Sequence, residues 1–247
     1  MRKPIIGILA PRRFDKDDPF ECQSRFVDNF PKRIIEAGGI PIGLLFPDEN
    51  FNEEEMKMID GLIIQGGPHL GSSHICALHY AYLHKIPVLG VCLGMQTMAG
   101  YEWFGQKHLG KIDYDVISKD FSYDDEPNYL YDKVGHNKLY PFNIKDIEKC
   151  KHKVFIDKNS KLFDVFQTEV LDMPSLHNSM AREEIFENDD CIFKVTGISD
   201  DNVIEVAESK DDWWCVGVQF HPELETENLR LFEKLIEESL KCKFDSK

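Results

Sequence analysis

One cysteine of this chain sits where a thiol can act as a nucleophile. Cys92 is centred in Gly90-Val-Cys-Leu-Gly94, between the apolar run Ile86–Val91 and residues from Met95 onward that suit a helix. A strand that turns abruptly into a helix puts its corner side chain in the open. The turn brings neighbouring backbone so close that glycine is needed two residues to either side. A thiol on that corner gains the positive end of the helix, which favours its thiolate, and the Leu93 N–H, which points towards an oxyanion formed by attack on a carbonyl. That is acyl-transfer chemistry. Most cysteines are simply small buried hydrophobes, so Cys92, one of seven, needs partners.

The partners stand elsewhere in the chain. Trp214–Phe220 reads as a strand and leads into His221-Pro222-Glu223. An imidazole with a carboxylate two positions on, in a turn stiffened by proline, can pair with that carboxylate and offer its other nitrogen to Cys92. A second oxyanion donor must come from a neighbouring strand end whose backbone can approach closely. The pair Gly66-Gly67 after the strand Gly61–Gln65 meets that need, with the Gly67 N–H as donor and Gly66 the competing choice. His177, just after a strand at 169–172, is a candidate site residue that needs support from elsewhere. His74, His79 and His84 form a cluster in sequence, but steps of five residues rotate side chains apart on a helix, whereas two ligands on one face need three or four. They read as solvated or locally hydrogen-bonded, and neither a metal nor a cofactor is assigned.

These groups require a scaffold of alternating elements. Strands are expected at 4–10, 40–46, 61–65, 88–91, 153–157, 169–172, 203–207 and 214–220. Helices are expected around Phe26, Phe30, Ile34 and Ile35, at 53–59, at 72–84, from Met95, and around Leu229, Phe232, Leu235 and Ile236. The alternation predicts an α/β fold: a single three-layer domain over 1–247, with a mostly parallel central sheet, helices on both faces in the flavodoxin-like manner, and the site at the C-terminal strand ends. The loop with Asp15, Asp17 and Asp18 borders that edge. Residues 105–150 show no period and read as a lid or specificity loop, since long excursions in compact domains are often functional.

Composition narrows the partners. With Asp+Glu at 44 against Lys+Arg at 29 and a net charge of −15, a phosphate backbone would be repelled, so no nucleic-acid partner is expected. The first ten residues hold too short an apolar run for a signal peptide, and no later stretch could span a bilayer. Seven scattered cysteines argue against a disulfide framework and for a reducing compartment, so a cytoplasmic location is expected.

Gly-Val-Cys-Leu-Gly-Met-Gln96 together with Gly-Val-Gln-Phe-His-Pro-Glu223 resembles the class I glutamine amidotransferase-like superfamily, whose members use a Cys-His-Glu triad. Lys3-Pro-Ile-Ile-Gly-Ile8, Glu36-Ala-Gly-Gly-Ile-Pro41, Ser175-Leu-His177 and Val203-Ile-Glu205 look like its γ-glutamyl-γ-aminobutyrate hydrolase family. The resemblance implies Cys92 as nucleophile, His221 as base and then acid, and Glu223 as the group orienting it. It also implies Gln96 and His177 as substrate-binding residues. Pro174 stands where the family usually has asparagine, and Gly66-Gly-Pro-His-Leu70 replaces its usual aspartate-containing loop. The implied activity is hydrolysis of a small γ-glutamyl amide to glutamate and an amine through a γ-glutamyl thioester. The alternatives are a glutaminase delivering ammonia to a partner synthetase, and a γ-glutamyl hydrolase of a nucleotide- or sugar-linked substrate. A homodimer and a synthetase partner both stay open.

Overall fold

Strands buried on both faces need helices on both faces, and that requirement explains the layering of this chain. The computed structural model describes residues 2–14, 22–131, 135–136 and 143–241; the loop acids Asp15, Asp17 and Asp18 lie outside the described residues. Nine strands share one sheet: β1 (Ile5–Leu9), β2 (Ile40–Leu44), β3 (Gly61–Ile64), β4 (Val88–Val91), β5 (Lys151–Ile156), β6 (Val170–Pro174), β7 (Phe193–Ser199), β8 (Ile204–Ser209) and β9 (Cys215–Val218). Their spatial order is β2-β1-β3-β4-β9-β8-β7-β5-β6. The first five pair in parallel, and the other four continue as an antiparallel run. Only β8 and β5 oppose the rest, so the sheet is mostly parallel in direction, as expected.

The helices α1 (Asn29–Glu36), α2 (Ser72–His84), α3 (Leu93–Lys107), α4 (Tyr114–Asp120), α5 (Lys161–Phe166) and α6 (Leu229–Lys241) cover the two faces. Ile75, Leu78, Met95 and Met98 of α2 and α3 pack in one apolar layer. Phe30, Ile34, Leu162, Phe166, Phe232 and Leu235 of α1, α5 and α6 form the other. Burial of this kind contributes roughly 1.5–3 kcal/mol per large apolar side chain. Among the described residues no helix is long and apolar enough to cross a membrane, and Cys76, Cys92, Cys150, Cys191 and Cys215 are free thiols.

Two expectations need correction. Phe26 precedes α1 rather than belonging to it, and Ile35 is exposed while Arg33 takes the buried position beside Ile34. β7 has no counterpart among the expected strands. The stretch 105–150 is also more ordered than its missing period suggests. Its helix α4 has Asp113 as cap, accepting the Val116 N–H at 2.8 Å, and Phe121 and Tyr129 pack into the same apolar layer as α2 and α3. A period is lost there because the buried residues are spread over several short elements.

Backbone comes closest where β4 turns into α3. A Cβ on Gly94 would collide with the Ile64 carbonyl oxygen, and one on Gly90 would stand 2.6 Å from the carbonyl of Gly94. Both obstacles are backbone and cannot step aside. Gly94→Ala should therefore destabilise the fold by about 1–3 kcal/mol or more, as overpacking does, whereas Leu83→Ala on the exposed side of α2 should stay within about 0.5 kcal/mol. Denaturant unfolding of both variants checks this, and an unchanged midpoint for Gly94→Ala would contradict the packing described.

Candidate active site

Cys92 closes β4 and caps α3. Its backbone adopts φ 53° and ψ −100°, a conformation that costs a non-glycine residue about 1–3 kcal/mol and persists only where the surroundings impose it. Here they do. The Cys92 N–H donates to the Val218 carbonyl of β9 at 2.7 Å, while its own carbonyl accepts the N–H groups of Met95 and Gln96 at 3.0 and 3.1 Å. Leu93 is the first residue of α3, so its N–H has no partner within the helix.

The chain leaving β9 brings His221 to the same edge. The His221 N–H donates to the Pro174 carbonyl at the end of β6, at 2.9 Å. Its Nδ1 lies 2.7 Å from Glu223 Oε1, a short, charge-assisted separation, and the ring and Cys92 flank the same backbone atom, Cα of Gly66. Burial by itself would lower the imidazole pKa. The Glu223 charge and the contacts with Cys92 and Glu223 overcome burial and hold it well above its ordinary value near 6.5. The other carboxylate oxygen, Glu223 Oε2, is buried without a protein partner.

The hold on Glu223 comes from α1. Arg33, buried and paired with Glu36 at 2.6 Å, donates from Nε to the Glu223 backbone carbonyl at 3.1 Å, and Asn29 reaches the same oxygen at 3.4 Å. The sequence points to Arg33 only as a charge inside an amphipathic helix, where a solvated position is the usual outcome. Gly66 stands directly over the thiol and the imidazole: a Cβ there would come within 3.0 Å of His221 Cε1 and 3.2 Å of Cys92 Cβ. At Gly67 a Cβ would instead collide with Pro11. Gln65, just before them, ties this loop to the chain entering α1 by accepting the Val27 N–H and donating to the Arg25 carbonyl, at 3.2 and 2.7 Å.

Gln96, one helical turn beyond Cys92, donates towards Gln219 Oε1 at 3.2 Å and the Ser179 carbonyl at 3.3 Å. His177 meets the same carbonyl with Nδ1 at 3.0 Å. Its Nε2 faces Glu205 Oε1 at 3.2 Å and His136 Nδ1 at 3.1 Å. Both nitrogens of His177 are thus engaged away from Cys92, and His221 is the imidazole beside Cys92. His74 and His79 are buried rather than solvated. His79 bonds the Tyr101 hydroxyl at 2.9 Å. Burial pushes His74 down to about 4.

A second group of histidines, not evident in the sequence, surrounds Glu205. This carboxylate in β8 is fully buried, and His136, His152 and His177 all converge on its Oε1. Burial would raise its pKa, but the three rings beside it overcome that and hold it well below the carboxylate range. The one signal in the sequence is a charge in the middle of the apolar run Val203–Ala207. His136 and His152 lie in polar surroundings that hide them.

The comparisons agree with this architecture. The model of the family Glutamine amidotransferase class-I matches residues 20–236, well over half of the chain. CTP synthase of Clostridium kluyveri is 33% identical over 216 residues, covering 78% of this chain but 37% of its own length. The chain thus spans well under half of the CTP synthases it matches. A protein of Rickettsia prowazekii described as glutamine amidotransferase-like is 24% identical, covering 96% of this chain and 98% of its own. Among solved structures, the glutaminase domain of Trypanosoma brucei CTPS with bound acivicin superposes with a TM-score of 0.67 at 16% identity, covering 97% of this chain and 94% of that one. At that identity it speaks for the fold alone. The relatives thus place the chain at the level of the broader family. With its family model matched from Glu21's neighbour Phe20 to Ile236 on the last helix, this chain belongs to the class-I glutamine amidotransferase family.

Proposed function

We propose that the chain is a glutaminase, hydrolysing the γ-amide of glutamine through a thioester on Cys92. The observation that carries this reading is the set of Cys92 at the corner, the His221 ring beside it under Gly66, and Glu223 2.7 Å behind that ring. The similarity to CTP synthases favours ammonia as the leaving group over a larger amine, and the hydrolysis of other γ-glutamyl amides takes second place. The Cys92 thiolate attacks the γ-carbonyl, and the Leu93 and Gly67 N–H groups receive the oxyanion. His221 then gives its proton to the departing ammonia and takes one from the water that releases glutamate. Gln96 holds the glutamyl end of the substrate. Glu223 keeps the ring oriented and its cation stable, and Arg33 positions the turn that carries Glu223. By analogy with the CTP synthases, the ammonia passes to a synthetase, as a further region or a separate partner.

Cys92→Ala should abolish ammonia release from glutamine, and acivicin should label wild type on Cys92 alone, as read by peptide mass spectrometry. A panel of γ-glutamyl amines assayed beside glutamine tests the leaving group. Glutamine turned over far more slowly than a γ-glutamyl amine would reverse the ranking, and labelling mainly at Cys76 or Cys191 would overturn the nucleophile.

The two partners of the thiol should differ in weight. His221→Asn removes proton transfer from both half-reactions and should cost about 10²–10⁴-fold in kcat. Glu223→Gln should cost less, and either change added to Cys92→Ala should cost almost nothing more, because the group acts as a unit. The pH profile fixes the sign. Glu223 stabilises the imidazolium, so His221 remains a proton donor above pH 6.5, and the alkaline limb of kcat/KM lies on the basic side of that value. Glu223→Gln removes the attraction, lowers the His221 pKa and should move the limb to lower pH. A limb that stays in place would show that Glu223 does not set this charge.

A further inference from the structure

Beside the thiol pocket, four side chains from separate segments aim their polar atoms at one another. His136 comes from the excursion after α4, His152 from β5, His177 from the turn after β6, and Glu205 from β8. His136 Nδ1, His177 Nε2 and Glu205 Oε1 form a triangle with sides of 3.1, 3.2 and 3.2 Å. His152 Nε2 stands 3.3 Å from the same carboxylate oxygen without hydrogen-bonding geometry, and Glu205 Oε2 is buried with no partner.

Several polar atoms here face one carboxylate oxygen. The Ser179 carbonyl only accepts, so His177 meets it with Nδ1–H, and the neutral ring then presents an unprotonated Nε2. His136 stands between two carboxylates, with Nε2 3.0 Å from Asp201 Oδ2 and Nδ1 3.2 Å from Glu205 Oε1, so a cation bound at the cluster would take the place of a proton on Nδ1. Both outer contacts are of the kind that orient histidines on a metal, a backbone carbonyl in one case and a carboxylate in the other. The separations come close. Ligands about 2.0–2.2 Å from a tetrahedral ion stand roughly 3.3–3.6 Å from each other, a little wider than the 3.1–3.3 Å of this cluster, whereas the imidazole–carboxylate pair His221–Glu223 in this same molecule closes to 2.7 Å. One oxygen with three imidazole nitrogens at 3.2–3.3 Å is crowded for hydrogen bonding and well spaced for sharing a cation.

We infer that His136, His152 and Glu205, with His177 braced against the same carboxylate, form a binding site for a divalent transition-metal ion of the Zn²⁺ type, which cross-links separate segments beside the Cys92 edge. The donor set of imidazoles and one carboxylate suits zinc and excludes calcium and magnesium, which prefer all-oxygen sites. A small cavity of about 160 Å³ lined by Gly135, His136, Cys150, His152 and Ser175 gives the ion a path from solvent. Through the shared Ser179 carbonyl the site touches Gln96, so the ion steadies the pocket without taking part in bond cleavage.

The full chain, stripped with chelator and dialysed, is titrated with zinc chloride by calorimetry and with Co²⁺ by visible absorption. One equivalent should bind, with the intense cobalt bands of a four- or five-coordinate site and a rise in Tm, since an ion that binds only the folded state stabilises it. Glu205→Gln and His136→Ala should each weaken zinc by about 100-fold or more. His136→Ala, at the partly open rim, covers the case in which Glu205→Gln fails to fold. Cys92→Ser should bind zinc as wild type does, which separates this site from the thiol and from the glutaminase reading. No saturable one-to-one binding, full affinity in His136→Ala, or loss of binding in Cys92→Ser would each overturn the inference. The first of these outcomes would leave a proton on His136 as what joins the cluster.

Discussion

The whole catalytic edge depends on one steric constraint: the backbone at Cys92 must turn through a conformation that an L-residue avoids. Four contacts impose it. Gly94 lies against the Ile64 carbonyl of β3, Gly90 lies against Gly94 itself, Gly217 of β9 lies against Met98 of α3, and the Cys92 N–H is captured by Val218. These contacts hold β3, β4 and β9 side by side under the N-terminus of α3. They also bring the loops after β3 and β9 to the thiol, so the strain at one residue and the order of the sheet are the same fact.

Two buried carboxylates then divide the edge between them. Glu223 has one close imidazole, and its turn is clamped by Arg33 from α1. Glu205 meets three imidazoles at longer range and leaves one oxygen unpartnered. β8 and β9 are neighbours, and the Gln219 N–H donates to the Glu205 carbonyl at 2.8 Å. The short, singly partnered carboxylate suits proton transfer, in which one ring must keep one orientation. The crowded one suits cross-linking, because its three imidazole neighbours come from three other places in the chain.

Membership of the family bears on the thiol chemistry more than on the substrate. A corner cysteine, an imidazole and a carboxylate can cleave any γ-glutamyl amide; the leaving group is chosen by whatever walls surround the scissile bond, and function resides in such sites rather than in folds. The excursion between α3 and β5 lies partly outside the described residues. Its described portion already contributes His136 to the edge and Phe121 and Tyr129 to the core, so it is held at both ends.

The local order of the chain was legible in the sequence because short-range rules govern it. α2 at 72–84 and β4 at 88–91 follow from periodicity and β-branching, and the glycines around Cys92 follow from the steric demand of a corner. Cys92, His221 and Glu223 could be named together because each carries its signal within a few residues. What only the tertiary structure decided is what depends on distance in space. Arg33 reads as a surface charge until α1 packs against the turn after β9. The contacts of His177 with the Ser179 carbonyl, Glu205 and His136 appear only in the folded chain. His136 and His152, from an excursion and a strand start, have no spacing that could announce a common site. A sequence shows which side chains share a helix face or a turn, because bond geometry fixes those neighbours. It does not show which distant strands become adjacent, and Glu205 acquires its three histidines only when β5, β6 and β8 are laid into one sheet.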